Sequence, residues 1–267
     1  MASAAPGDSA MLAPPSNRPT QKLILPNVRK LIIPDPDYEI YEADLAGADA
    51  QVVAWEAQDD DLKAGFRAGI DIHVKNAEDM WGNEFTRLSG HARRAKRQEC
   101  KHTVHGCNYG CTPRTTAIQR GWTVHEAERF HSRWFSLHPG IKTNFHQAVE
   151  RNLNTSKTVT NPFGFRRPYF DRPAQCFTEA LAWIPQSTVA INTYLGAFQL
   201  EDRIPEVEIL LQVHDSLVFQ LPLTTKVSAS DIKNALRIET PYPDPLYIPW
   251  GLKKSTKSWG DCEEIEE

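Results

Sequence analysis

The sequence lacks several features that would place it in a special class of protein. Across its 267 residues no apolar run approaches the roughly 20 residues that span a bilayer, so no membrane segment is predicted. Residues 1–20 contain no lysine, a single arginine and no apolar block, which excludes a secretory signal. The five cysteines are an odd number, and three of them crowd one short segment. That pattern argues against a disulfide framework and for a reducing compartment.

The sequence also lacks a large excess of either charge, since 30 lysine and arginine residues stand against 34 acids and the net charge is only −4. The distribution is uneven, however, and matters more than the sum. Between Arg87 and Arg133, ten lysine and arginine residues stand against three glutamates, a local net charge of +7. Two explanations of this positive segment are open: a helical face exposed to solvent, or a surface that binds an anionic partner.

Hydrophobic patterning places strands near the two ends of the chain and helices between them. Leu31–Ile33 predicts a short strand stopped by Pro34, and residues 38–45 predict a second strand that ends in a carboxylate. Residues 1–20 are rich in Ala, Pro and Ser, which predicts disorder, and the glutamates after residue 262 predict a mobile acidic tail. Helices are predicted after Gly47, after Asp59–Asp61, over 87–135 with breaks near 110–113 and 121, and over 177–198 despite Pro185.

The clearest β pattern is a hairpin whose two-residue turn is His214-Asp215. Apolar residues alternate from Val207 to Val213 and again from Leu217 to Leu221. A plain turn is one explanation, because Asp tolerates turn geometry. The other is metal binding, for which Asp44 at the end of the other strand is the natural second carboxylate. Two such carboxylates can hold two Mg²⁺ ions about 3.5–4 Å apart for phosphoryl displacement.

The basic segment contains a helix with two different faces. Arg97, Lys101, His105 and Tyr109 recur every four residues and share one face, whereas three cysteines and Val104 share a buried one. Cations followed by a stacking ring suit a nucleoside triphosphate, although an ordinary amphipathic helix has the same pattern.

Two other groups of residues raise the question of a metal site. Cys100, His102, His105, Cys107 and Cys111 could suggest zinc, but a single helix would have to wrap the ion. Asp59-Asp60-Asp61 could also hold a metal. The favoured interpretation is that these acids begin a helix, where the helix dipole stabilises negative charge.

Three segments in order carry a resemblance to a known family. They are Glu42-Ala-Asp44-Leu-Ala-Gly-Ala-Asp49, followed by Phe66-Arg67-Ala-Gly69-Ile-Asp71-Ile-His73; Arg97-x-x-x-Lys101-x-x-x-His105-Gly106-x-x-Tyr109-Gly110; and Gln212-Val-His214-Asp215. They are similar to motifs A, B and C of family A DNA polymerases, the bacterial polymerase I and phage replicative group. Weaker matches lie at 158–167 and 185–188, and the resemblance covers the chain from about residue 22 onward.

The resemblance implies an α+β fold, in which an antiparallel β-sheet palm carries a largely helical fingers insertion, with no thumb or exonuclease domain. It divides the chain into a disordered segment (1–21), palm (22–62), fingers (63–172), palm (173–258) and acidic tail (259–267).

The resemblance also implies a role for each matching residue. Asp44 and Asp215 would be catalytic and would hold the two Mg²⁺ ions. The nucleotide-binding residues would be His73, Arg97, Lys101, His105, Tyr109 and Asp49. The DNA-binding residues would be Gln186, His214, Arg166 and Arg167.

The function implied is template-directed addition of dNTPs to the 3′-hydroxyl of primer–template DNA, in the cytoplasm, or in the host cytoplasm if a phage encodes the chain. Because no thumb or exonuclease is expected upstream of residue 22, a separately encoded chain carrying both is a candidate partner. Three positions depart from the family pattern: His105 replaces Phe or Tyr, Asp49 replaces Glu, and Ser216 replaces Glu.

Two alternatives remain open at this point. A phage-type single-subunit RNA polymerase shares the palm and the His-Asp-Ser turn, but it keeps a small residue where this sequence has Asp49. His105-Gly106 ahead of Tyr109-Gly110 also favours the DNA enzymes. The second alternative is a non-catalytic, nucleic-acid-binding remnant of a polymerase.

Overall fold

The computed structural model describes residues 27–265, which form an α+β fold. The first half contains a 3-10 helix (Val28–Leu31), β1 (Tyr38–Leu45), α1 (Ala48–Glu56), α2 (Asp60–Arg67), α3 (Ile72–Trp81), α4 (Asn83–Thr86), α5 (Gly90–Asn108), α6 (Pro113–Arg120) and α7 (Val124–Leu137). The second half contains a π-helix (Ile141–His146), α8 (Gln147–Thr155), β2 (Thr158–Thr160), β3 (Arg166–Pro168), α9 (Pro173–Arg203), β4 (Glu208–Val213), β5 (Ser216–Pro222), α10 (Ala229–Ala235), β6 (Glu239–Thr240), β7 (Leu246–Tyr247), β8 (Trp250–Ser255), a 3-10 helix (Trp259–Asp261) and β9 (Glu263–Glu264).

Strand β1 is the centre of a five-stranded antiparallel sheet. It pairs with β5 on one side and β8 on the other, and the strand order is β4-β5-β1-β8-β9. The side chains of Tyr41 and Phe219 stack across β1 and β5, with ring centroids 5.1 Å apart. The sheet confirms the predicted antiparallel palm, and the helices α1–α8 between β1 and β4 confirm the predicted helical insertion.

The hydrophobic core lies between the sheet and the helices. Leu217 and Phe219 of β5 are fully buried, as are Leu181 and Leu200 of α9. Helix α9 runs without interruption through Pro185, as the sequence predicts. It therefore acts as a long support that joins the helical insertion to the second half of the sheet.

Short capping motifs explain where the helices begin. Asp59 begins α2, since its Oδ1 accepts a hydrogen bond of 2.9 Å from the backbone N–H of Leu62. This confirms the helix-start interpretation of the three acids. Thr123 and Glu126 form a reciprocal capping box at the start of α7.

The structure corrects two sequence-based predictions. Leu31 ends a 3-10 helix, and Ile32 and Ile33 belong to no strand, so residues 27–33 contain no strand before Pro34. Glu263 and Glu264 form β9 and pair with Lys254 and Lys253 of β8, so this part of the acidic tail belongs to the sheet. The predicted disordered segment, residues 1–21, lies outside the described residues, as do Glu266 and Glu267.

No helix in residues 27–265 has both the length and the apolar character needed to cross a membrane.

Candidate active site

The β4–β5 hairpin and the end of β1 bring the two predicted catalytic carboxylates to one edge of the sheet. Asp44 stands opposite Ser216 in the β1–β5 ladder, and the backbone N–H of Leu45 donates to the carbonyl of Asp215 over 3.1 Å. His214 begins the turn in the left-handed region, at φ 56°, which lets two residues connect the strands. The hairpin thus holds Asp215 beside Asp44.

Ser216 contributes a hydrogen bond that sequence reasoning missed. Its Oγ donates to Asp44 Oδ1 over 2.8 Å, and Ser216 is buried. The residue that replaces the usual glutamate of the resembling family therefore orients the first carboxylate. The replacement of Glu by Ser216 is visible in the sequence, but the hydrogen bond from Ser216 to Asp44 is not.

A cavity of about 230 Å³ opens at this edge and collects most of the predicted site. It lies between the end of β1, helix α1, the start of α3 and one face of α5. The predicted site residues that line it are Asp44, Asp49, His73, Lys101, His105, Tyr109 and Asp215. Residues 171 positions apart in sequence, Asp44 and Asp215, therefore share one cavity with the exposed face of α5.

The electrostatics of the cavity favour a cation near the carboxylates. Desolvation and the neighbouring Asp44 carboxylate raise the pKa of Asp215 above its ordinary value, with a smaller contribution from Asp49. Two acids that repel each other in a partly buried place are stabilised by a positive charge between them. Carboxylate oxygens are also the ligands that Mg²⁺ prefers, so these residues fit a magnesium site.

The opposite wall of the cavity contains the cation Lys101 and the imidazole of His73. Desolvation, together with the charges of Lys101 and Arg97, lowers the pKa of His73 to about 4, so its imidazole is neutral at pH 7. The Nδ1 atom of His73 is buried without a hydrogen-bond partner. A neutral His73 beside two cations leaves this wall suited to an anionic ligand.

Tyr109 closes the C-terminal end of the α5 face. Its hydroxyl donates to Asp49 Oδ2 over 2.9 Å, and its ring meets the His105 ring edge-on at 4.3 Å. Desolvation and the Asp49 carboxylate raise the pKa of Tyr109, so the phenol stays protonated and keeps donating. Two of the three residues that depart from the resembling family, Asp49 and His105, therefore contact Tyr109.

Asn76 and Asn108 also line the cavity and were missed from the sequence. Asn108 Oδ1 accepts from Trp134 Nε1 over 3.0 Å, which ties the end of α5 to α7. The Oδ1 atom of Asn76 is buried without a partner. Lone asparagines carry no motif, so only their positions in the structure reveal them.

Five predicted site residues lie away from the cavity. Arg97 pairs with Asp71, and Arg167 pairs with Glu179 while its guanidinium lies 5.2 Å from the Tyr169 ring. The others are exposed at three places: Gln186 on α9, Arg166 on β3 and His214 in the turn.

A second group of possible metal ligands lies outside the cavity. Asp59, Asp61 and His138 bring ligand atoms within 4.8 Å of one another. His138 Nδ1 is already hydrogen-bonded to Asp59 Oδ2 at 2.9 Å, and Lys75 Nζ lies 2.6 Å from Asp61 Oδ2. The lysine ammonium already provides a positive charge there, so we assign no metal to this group.

Comparison with known proteins agrees with the geometry. A family model described as DNA polymerase family A matches residues 15–253. The chain is 28% identical over 249 residues to the thermostable DNA polymerase I of Thermus filiformis, covering 88% of this chain and 29% of that protein. It is 28% identical over 213 residues to DNA polymerase I of Geobacillus stearothermophilus, covering 73% of this chain and 23% of that protein. It thus spans less than a third of these relatives.

A solved structure shows the same fold. The POL domain of Pol1 from M. smegmatis, in complex with DNA primer-template and dNTP, superposes with a TM-score of 0.75 at 19% identity, covering 87% of this chain and 42% of that one. The family match covers most of the chain, and the motifs that carried the resemblance meet in one cavity. The chain belongs to DNA polymerase family A.

Proposed function

We propose that the chain carries the nucleotidyl-transfer site of a template-directed DNA polymerase. The observation that supports this most directly is the meeting of Asp44 and Asp215 in a cavity whose other wall is the Lys101–His105–Tyr109 face of α5. The relative from Thermus filiformis is a DNA polymerase I, and the solved neighbour is a complex with DNA primer-template and dNTP. We also propose that the chain acts in the cytoplasm.

In this mechanism the chain positions reactants and offsets charge. Asp44 and Asp215 would hold two Mg²⁺ ions, which when bound would stabilise the attacking and leaving oxygens. Lys101 would neutralise the triphosphate, and the neutral His73 would donate a hydrogen bond to it. Ser216 would keep Asp44 oriented through its 2.8 Å bond. The primer 3′-hydroxyl would attack the α-phosphate and release pyrophosphate.

Asp49 is the residue proposed to select the sugar. It is held by Tyr109 at the entrance to the cavity, where a carboxylate would crowd a 2′-hydroxyl. Asp is one methylene shorter than the usual Glu, so discrimination against ribonucleotides would be weaker than in relatives that carry Glu. The exposed Gln186, His214 and Arg166, together with the partly buried Arg167, are proposed to contact DNA outside the cavity.

The test is primer extension on a labelled primer–template with Mg²⁺, offering dNTPs or rNTPs in parallel, together with Mg²⁺-dependent binding of a dNTP. We expect dNTPs to be incorporated, and Asp44→Asn or Asp215→Asn to abolish incorporation. Asp171→Asn, at an exposed carboxylate remote from the cavity, is the matched control and should retain it.

Preference for rNTPs would favour the RNA polymerase alternative. Full activity of the two active-site variants would contradict the metal assignment, and dNTP binding without extension in any template would favour the non-catalytic alternative. The separately encoded thumb and exonuclease chain stays a prediction. Processive extension by the purified chain alone would argue against a need for it.

A further inference from the structure

Arg97 is bound to a carboxylate of its own chain. Its Nε donates to Asp71 Oδ2 over 2.9 Å and its Nη2 donates to Asp71 Oδ1 over 3.0 Å. The ion pair is bidentate, with two parallel hydrogen bonds that occupy the Nε–Nη2 edge of the guanidinium. The same edge geometry suits a phosphate, because carboxylate and phosphate both present two oxygens to it.

Asp71 has a second structural task. It is the N-cap of α3, where its Oδ1 accepts from the backbone N–H groups of His73 and Val74 over 3.0 and 3.1 Å. Partial burial opposes its ionisation, but the bonds from Arg97 and from these N–H groups hold the pKa of Asp71 below its ordinary value. Asp71 therefore stays charged at neutral pH and fixes Arg97 to the helix end that carries His73.

Lys101 differs from Arg97 in this respect. It lies one turn further along α5, is exposed and lines the cavity, and across residues 27–265 no carboxylate pairs with it. One of the two cations on the α5 face is thus available to a ligand, whereas the other is held.

We propose that Asp71 is an internal stand-in for the substrate phosphate: it occupies Arg97 until a triphosphate displaces it, and so limits affinity for phosphate ligands. This inference rests on the proposed function, because it concerns how the affinity of the same nucleotide site is regulated. A ligand that draws Arg97 away also detaches α5 from the N-terminus of α3. Longer phosphate chains, which carry more charge, compete better with Asp71 than short ones.

The chain contains a matched control on the same two helices. Arg93, one turn before Arg97 on α5, pairs with Glu78 of α3 at 3.1 Å. Neither residue lines the cavity. Breaking this pair loosens the same helix contact without freeing Arg97.

The experiment measures binding of inorganic tripolyphosphate to the full chain in the presence of MgCl₂, by isothermal titration calorimetry. The variants are Asp71→Ser, Asp71→Asn, Arg97→Gln, Asp71→Ser with Arg97→Gln, and Glu78→Gln. Serine keeps a side-chain oxygen for the α3 N-cap, and asparagine keeps the shape of the carboxylate without its charge. Circular dichroism melts confirm that each variant folds.

We expect Asp71→Ser and Asp71→Asn to tighten binding about two- to fivefold, the range for releasing a half-exposed ion pair. The gain should vanish when Arg97→Gln is also present, and Glu78→Gln should bind as the unmodified chain does. Equal or weaker binding by both Asp71 variants, an equal gain in Glu78→Gln, or no binding by any variant overturns the proposal. Tighter tripolyphosphate binding by the Asp71 variants, with no primer extension by the unmodified chain, would support the role of Asp71 and contradict the proposed polymerase activity.

Discussion

The hydroxyl of Tyr109 donates to Asp49 across 2.9 Å and joins the end of α5 to the start of α1. Replacing Tyr109 by Phe removes the donor and leaves the carboxylate in a partly buried place. We expect a loss of about 1–2 kcal/mol in the free energy of unfolding, since hydrogen bonds to charged groups contribute more than neutral ones. Urea denaturation measures it. Tyr247→Phe, which breaks an exposed bond to Glu239, is the control and should leave the free energy of unfolding nearly unchanged.

Asp215→Asn is expected to stabilise the chain while removing the proposed activity. Desolvation and Asp44 raise the pKa of Asp215, so its ionised form is disfavoured in the folded state. Removing the charge therefore stabilises the folded state at pH 7, and the gain disappears at pH values below the ordinary carboxyl range near about 4. We expect the melting temperature at pH 7 to rise by up to about 4 °C.

Mg²⁺ titration adds a second readout for the same variant. The unmodified chain should gain melting temperature with Mg²⁺, because an ion that binds only the folded state stabilises it. Asp215→Asn should gain much less, and Asp171→Asn should respond as the unmodified chain does. Equal Mg²⁺ responses in all three proteins would contradict the predicted metal site.

The buried Asp59–His138 pair should make stability depend on pH. Burial opposes ionisation of Asp59, but the bonds from His138 and from the Leu62 N–H lower its pKa. Its contribution is therefore complete above the ordinary carboxyl pKa and is lost as the pH falls through the lowered one. Asp59→Ala should cost about 2–4 kcal/mol at pH 7, from the lost N-cap and the unpartnered imidazole.

Denaturant midpoints between pH 3 and pH 7 would check this prediction. The difference between Asp59→Ala and the unmodified chain should shrink toward the acid end. Thr112→Ala removes the exposed N-cap of α6, whose hydroxyl accepts from the Thr115 N–H. This control should cost only about 1 kcal/mol, with no pH dependence in that range. Parallel pH profiles for the two variants would contradict a stabilising contribution from the ionised Asp59 carboxylate.

The five thiols should react in two groups. Cys100, Cys107 and Cys176 are buried, whereas Cys111 and Cys262 are partly exposed, and all five are free. Burial raises the pKa of Cys100 to about 12 and that of Cys262 to about 11. Because the thiolate is the reactive form, Cys111 should react first with Ellman's reagent.

Absorbance at a fixed pH near 8 gives the time course. We expect Cys111→Ser to remove the fastest phase, and denaturant to release the three buried thiols. Rapid reaction of a third thiol in the native chain would mean that the core around the buried cysteines opens readily.

The sequence predicted the elements whose patterns are local. The hairpin around His214-Asp215 has apolar residues at alternate positions, the strand ending near Asp44 is marked by the break at Gly47, and the confirmed buried face of α5 repeats with helical period at Cys100, Val104 and Cys107. The strand predicted at Leu31–Ile33 does not form, because prolines after it remove hydrogen-bond donors and no strand within residues 27–265 pairs with it.

The elements that the sequence did not predict depend on distant partners. Strand β8 carries two lysines and a glycine, and β9 is two glutamates, so neither looks apolar. Strand β8 forms because it pairs with β1 along its whole length, and β9 forms because Glu264 and Glu263 stand opposite Lys253 and Lys254 of β8. The pairing of Arg97 with Asp71 likewise joins residues 26 positions apart, and no pattern in one sequence reveals it.

The central position of β1 has a consequence for how the chain folds. Ser216 and Asp44, the two ends of the bond that orients the first carboxylate, lie 172 residues apart in the sequence. Closing so long a loop comes at a high entropic cost, so this ladder is expected to form late, after the helices between its strands. A nascent or partly unfolded chain would therefore not assemble the carboxylate pair, and capture of a divalent ion would report the completion of folding.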